Sequence, residues 1–185
     1  MIKVIDLRNG KDSGLFESLA SRSQMEHGDV LRRVEDIVNN VRQNKDMAVL
    51  EYTAMFDKVE LSSESLKVSE DEIKEAYSKV DSRLVEVIKK SRDSIKSFHE
   101  KQKEKSWFVS EEDGVILGQM YTPLEIVGVY VPGGTAAYPS SVLMNIMPAK
   151  VAGVKKIVMT TPPGKDGKVN PAILVAANEA GADEI

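Results

Sequence analysis

At 185 residues, with 42% hydrophobic and 29% charged residues, the chain has the size and composition of an ordinary globular protein with a real core. A formal net charge of −4 gives no electrostatic reason to expect nucleic acid or an anionic membrane surface as a partner, and no apolar run reaches membrane-spanning length. The absence of cysteine excludes a disulfide framework, a thiolate nucleophile and a cysteine zinc site. Charges spread through residues 1–14 leave no apolar core for a secretory signal, so a cytoplasmic location is expected.

In chain order, residues 1–7 are expected as a short strand and Asn9-Gly10 as a turn. From 27 to 41 the apolar positions Val30, Leu31, Val34, Ile37, Val38 and Val41 recur at helical spacing. Asn44-Lys45-Asp46 breaks that helix, and Asp46 caps a second one reaching Phe56, with Val49, Leu50, Thr53 and Phe56 inward. Ser69-Glu70-Asp71-Glu72 fits a capping box and opens a short helix with Ile73, Ala76 and Tyr77 on one side. Asp81 begins the longest helical pattern, running to about residue 103, with Leu84, Ile88, Ile95 and Phe98 along its apolar stripe. Its polar end, residues 100–105, reads as a solvated helix terminus. Residues 107–109 and 115–121 read as strands around the turn Glu112-Asp113-Gly114.

The stretch that follows is the most informative. A β-branched run, Ile126, Val127, Val129 and Val131, stops at Pro132-Gly133-Gly134. Ser140-Ser141 supplies N-cap residues for an apolar helix from Val142 to Ala152, closed by Gly153. Lys155-Lys156 then opens a second strand, residues 157–161, so the whole is a βαβ unit. A surface turn at 163–167 leads to Asn170-Pro171, an N-cap followed by proline at the first helical position, and to a helix of residues 172–180 ending at Gly181. Residues 182–185 begin the next strand, and the chain is therefore expected to be the first portion of a longer protein.

The ligand-prone end of a βαβ unit is the loop after its first strand, where Tyr130, Gly133 and Gly134 stand as candidate cofactor-binding residues. The glycines would let a phosphate approach the backbone in front of a helix N-terminus. The competing reading is a tight bend that simply requires glycine, at least one of the pair taking a positive φ. His27 and His99 are the only histidines. Neither has further metal-type ligands at helical spacing beyond a neighbouring carboxylate, and both are expected at the surface. No carboxylate pair stands out as a general acid and base. Met25, Met47, Met55, Met144 and Met147 read as core filler.

The string VGVYVPGG, followed by SSVLMN and PAKVAGVKK, strongly resembles the glycine-rich segment of the histidinol dehydrogenases. The likeness extends to Val41–Asp46 with Leu50-Glu51-Tyr52-Thr53 and Phe56-Asp57, to Asp113-Gly114-Val115 with Gly118-Gln119 and Pro123-Leu124, and to the terminal Ala180–Ile185. It implies an α/β fold in which an N-terminal arm (1–22) and a helix-rich region (23–122) precede the first, incomplete part of a Rossmann-like parallel sheet (123–185), a βαβαβ start. It also implies a zinc-dependent, homodimeric, cytoplasmic enzyme of histidine biosynthesis that oxidises L-histidinol through an aldehyde to L-histidine with NAD. Tyr130 matches a family tyrosine that contacts NAD. The family's zinc ligands, acid/base pair and remaining NAD contacts match positions beyond Ile185, so this segment alone is expected to be inactive, with no catalytic and no metal residue of its own. The rival reading is a non-catalytic α/β module for binding or assembly.

Overall fold

The structure, a computed structural model, describes residues 14–23, 28–133 and 137–185. The expected strand at 1–7, Met25, His27 and Gly134 lie outside the described residues. Contacts divide the chain into two compact units, Met1–Ala48 and Val49–Ile185.

In the first unit, α1 (Leu15–Ser23) precedes α2 (Gly28–Asn44), the helix that the apolar spacing predicts. α2 buries none of its residues, and Val30, Leu31, Val34 and Val38 are exposed along one stripe. Lys45, at φ 51°, ends the helix, and α3 (Asp46–Tyr52) starts at the expected Asp46.

In the second unit the chain leaves α3 through a π-helical turn, Thr53–Asp57, closed by Lys58 in the left-handed region. This corrects the single helix expected through Phe56. The widened turn swings Phe56 outward, where it is 61% exposed and stacks on Tyr52 at 5.7 Å between ring centres. α4 (Glu70–Lys79) opens on the predicted capping box, with Ser69 Oγ accepting from the Glu72 N–H and Glu72 Oε2 accepting from the Ser69 N–H. α5 (Ser82–Glu100) is capped by Asp81, whose carboxylate accepts from the Arg83 N–H at 2.7 Å.

The inward face of α5 keeps Ile88 and Ile95 of the predicted stripe but not its two ends. Val85 and Ile88 are buried and Ile95 is packed against the core, whereas Leu84 and Phe98 are exposed. β1 (Trp107–Ser110) and β2 (Ile116–Gln119) form the expected antiparallel hairpin, in register from Trp107↔Gln119 to Ser110↔Ile116.

The βαβ unit is present. β3 (Ile126–Tyr130) and β4 (Lys156–Thr160) are parallel, with Val127 opposite Ile157 and Val129 opposite Met159, and α6 (Pro139–Ala152) connects them. α6 starts three residues before the expected Val142. Proline at its first position has no N–H to satisfy and a φ already suited to a helix. The Ser141 and Val142 N–H groups therefore bond to the Tyr138 carbonyl, and no serine hydroxyl acts as cap. α7 (Pro171–Ala180) follows the predicted cap: Asn170 Oδ1 accepts from the Ala172 N–H at 2.9 Å. Gly153 and Gly181 close α6 and α7 at φ 92° and 83°, where a Cβ is disfavoured.

The core lies between the strands and the helices. Val129, Val131, Ile157 and Met159 meet Val142, Leu143, Ile146 and Met147 of α6 and five consecutive buried residues of α7, Ile173–Ala177. α4 and α5 pack outside α6 and α7, so α7 is enclosed on most sides, which explains its unbroken apolar run. Of the described methionines named above, Met147 is buried, while Met47, Met55 and Met144 are exposed and fill no core.

Beyond α7, Glu184 bridges Val158 in parallel, on the side of β4 away from β3. The Asp183 carboxylate accepts the Ile157 N–H at 2.7 Å and lies 3.4 Å from Lys150 Nζ. The bond from Ile157, with the lysine beside it, holds the Asp183 carboxyl below the usual carboxylate range. A carboxyl lowered on folding stabilises at pH values above its ordinary pKa, and that contribution is lost as pH falls through the depressed value.

Candidate functional site

Of the predicted site residues, Tyr130 and Gly133 stand at the carboxyl end of the parallel strands, and Gly134 lies outside the described residues. Tyr130 ends β3 on the sheet face away from α6 and is 63% exposed. Its ring and hydroxyl are thus presented to solvent at the position where α/β sheets take their ligands. Two residues on, Pro132 turns the chain out of the sheet into Gly133, which is half-buried.

Gly133 is not in the left-handed region, so the positive φ expected of the pair does not occur there. Its constraint is space instead. A Cβ on Gly133 would stand 3.2 Å from the Pro162 carbonyl oxygen and 3.3 Å from both Thr161 Oγ1 and Pro162 Cδ. The loop after β3 therefore lies flat against the loop after β4. Gly133→Ala is expected to cost about 1 kcal/mol through this overpacking. Thermal melts check it, and an unchanged melting temperature would show that the two loops yield freely.

Between these loops and the N-terminus of α7 lies a cleft of about 260 Å³, walled by Gly133, Thr161, Lys168, Asn170 and Ile173 among others. Tyr130 is not one of its walls, so the structure separates Tyr130 from the cleft that Gly133 shares. A second cleft of about 630 Å³ opens at the other end of β3, among His99, Gln102, Tyr121, Pro123 and Gly153. His99 is half-buried rather than on the open surface, with Nδ1 2.7 Å from Gln102 Oε1. Among the described residues no group of three or more histidine, aspartate or glutamate side chains is placed to hold a metal ion. No described helix is long and apolar enough to cross a membrane.

One polar cluster escaped the sequence reading. Glu179, near the end of α7, accepts from Arg92 Nη1 and from the Tyr77 hydroxyl, both at 2.9 Å, and Asn178 Nδ2 donates to the same hydroxyl at 2.8 Å. Burial, together with the bond to Glu179, pushes the Tyr77 phenol upward. The cluster ties α4, α5 and α7 together, away from the loop after β3. Its signal was the spacing Val85, Ile88, Arg92, Ile95, an inward helical stripe that contains a charge.

Comparison with known proteins follows the same segment. A family profile described as histidinol dehydrogenase matches residues 20–185. The histidinol dehydrogenase of Caldanaerobacter subterraneus subsp. tengcongensis is 50% identical over 185 residues, all of this chain and 43% of that protein. That of Geobacillus kaustophilus is 54% identical over 154 residues, 83% of this chain and 36% of the relative. The crystal structure of histidinol dehydrogenase from Elizabethkingia anophelis superposes with a TM-score of 0.76 at 37% identity, over 83% of this chain and 35% of that one. The chain spans about two-fifths of the length of the curated relatives it matches.

Proposed function

The chain belongs to the histidinol dehydrogenase family, and from that premise we propose that it forms the N-terminal portion of an NAD-dependent enzyme oxidising L-histidinol, through the aldehyde, to L-histidine. The observation that carries the reading is the exposed Tyr130 at the carboxyl end of β3, beside a loop pressed flat at Gly133. An aromatic ring with a hydroxyl and a backbone without Cβ suit the edge of a dinucleotide. NAD, when bound, supplies the hydride acceptor. In this reading Tyr130 holds the cofactor, while Gly133 and Gly134 allow it close to the backbone.

Zinc does not fit the described residues, which offer no ligand cluster. In this reading the zinc ligands and the acid/base residues belong to other parts of the longer polypeptide. No catalytic residue is assigned here, and this segment by itself does not turn over histidinol. A cytoplasmic homodimer acting in histidine biosynthesis is the setting we propose.

The test is NADH formation from histidinol and NAD⁺ by the full-length enzyme that carries this segment. Tyr130→Ala should raise the KM for NAD⁺ about tenfold while kcat stays within about twofold, the signature of lost ground-state binding. A normal KM with a large loss of kcat would remove Tyr130 from cofactor binding. Failure of the unaltered enzyme to form NADH from histidinol would overturn the reading itself.

A further inference from the structure

At the amino end of the sheet, two clefts run into one another. The first, of about 630 Å³, is lined by the apolar Pro123, Pro148, Val151 and Ala152 together with Tyr121. The second, of about 670 Å³, lies beside α5 and α6 and is walled by charged side chains. Lys103 and Val151 belong to both, so the two form one groove.

The first cleft suits a flat ring. Pro148 stands inside α6, where its missing N–H costs the helix a hydrogen bond. The buried residues of α6 are Val142, Leu143, Ile146 and Met147, so the core does not ask for this proline. What Pro148 adds is a rigid apolar wall to the cleft. Pro123 adds another, lying over Gly153, where a Cβ would stand 3.7 Å from the Pro123 Cγ. Tyr121 is fixed through its N–H, which donates to Ser106 Oγ at 2.9 Å, and the residue stays 43% exposed, with its ring free to stack. His99 and Gln102 supply a polar edge, with His99 Nδ1 2.7 Å from Gln102 Oε1. An amide oxygen only accepts, so Nδ1 carries the proton; Nε2 is then left as an acceptor and the Gln102 amide nitrogen as a donor. That pair matches a heteroaromatic edge on which a donor stands beside an acceptor, as on the purine bases.

The helix ends decide where charge can go. α5 and α6 both terminate at the first cleft, and their carbonyl ends disfavour an anion there. The second cleft runs along the flanks of the helices. Its cations are Arg92, Lys96, Lys103 and Lys150, against the carboxylates of Asp93, Glu100 and Glu179. Arg92 is taken up by Glu179 at 2.9 Å and Asp93 at 2.7 Å. Lys96 lies 3.9 Å from Glu100, and Lys150 lies 3.4 Å from Asp183. Lys103, at the junction of the clefts, has no ion-pair partner among the described residues.

We propose that this groove binds a purine nucleoside monophosphate. The base lies against Tyr121, Pro123 and Pro148 with its edge on His99 and Gln102. The phosphate lies on Lys103, with Lys96 and Lys150 beyond it. The first cleft alone falls within the range of about 300–1,000 Å³ usual for small-molecule sites. The groove is at the opposite end of β3 from Tyr130 and Gly133, so it goes beyond the cofactor reading and does not depend on it.

Calorimetric titration of AMP into the full-length enzyme that carries this segment tests the proposal. A single AMP per chain is expected. Adenosine and ribose 5-phosphate should each bind at least about tenfold more weakly, because each supplies only half of the contacts. Lys103→Glu, at an exposed position, should weaken AMP about tenfold or more, and Gln102→Leu should weaken it as well, while thermal melts show both variants folded. Absence of saturable AMP binding overturns the proposal. Adenosine or ribose 5-phosphate binding as tightly as AMP also overturns it, the latter by reducing the groove to a general attractor of anions. AMP binding that survives Lys103→Glu but is lost in Tyr130→Ala would place the nucleotide at the loop after β3 and equally overturn it.

Discussion

Ile157→Ala is expected to lower the free energy of unfolding by about 4 kcal/mol, within the range of roughly 2–5 seen when a buried isoleucine or leucine is truncated. Ile157 is 0% exposed. It sits on β4 opposite Val127, while its carbonyl accepts the Asp183 N–H on the other side of the strand. Its own N–H and C=O are held by Asp183 and the residues on either side of it belong to the ladder with β3, so the strand has little freedom to collapse into the space left by the lost carbons. Urea denaturation measures the effect as a fall in midpoint with the slope preserved. A loss under about 1 kcal/mol would mean that the layer between strands and helices is loosely packed.

Arg92→Ala is expected to cost about 2–3 kcal/mol, toward the lower end of what breaking a buried ion pair costs because the guanidinium keeps some solvent. The Glu179 side chain is 12% exposed. Without Arg92 it retains the hydrogen bond from the Tyr77 hydroxyl but loses the positive charge facing it. The double variant Arg92→Ala with Glu179→Ala should be clearly more stable than the sum of the two single losses, since no charge is then left unpaired. Strict additivity in the same denaturation experiment would show that the two side chains do not act as a pair.

The elements that the sequence made legible are those whose ends carry their own chemistry. The capping box at Ser69, Asp81 before α5, Asn170-Pro171 and Gly181 each satisfy a helix terminus through residues next to it, so local reading suffices. The βαβ unit was equally plain, because a β-branched run, a glycine turn and an apolar helix admit few other arrangements.

The faces were harder to read. In α5 the inward row runs Val85, Ile88, Arg92, Ile95, and an apolar template that finds Ile88 and Ile95 passes over Arg92 and takes the exposed Leu84 and Phe98 at its ends. The partner that makes Arg92 an inward residue lies 87 positions away on α7, out of reach of any local pattern. Phe56 was misplaced because the π-helical turn adds to the angle between it and α3. Nothing in the spacing of Thr53–Asp57 announces that extra rotation. At the candidate site, residue types marked the loop after β3, but the pressure on Gly133 comes from Thr161 and Pro162 across the sheet.

The bond from the Ile157 N–H to the Asp183 carboxylate has a consequence for strand alignment. A side chain here stands in for the backbone carbonyl that an incoming neighbour would offer at that position. The first rung of the ladder beyond β4 is thereby fixed by an acid, with Lys150 of α6 holding the same oxygen. A slip of one residue would turn that carboxylate away from Ile157 and present Glu184 or Ala182 instead, one with its carboxylate a carbon further out and the other with none. Alignment of residues 182–185 against β4 is therefore read from a carboxylate as well as from the backbone bonds that join Asp183 to Ile157 and Glu184 to Met159, so that an acid selects among registers the backbone alone would accept.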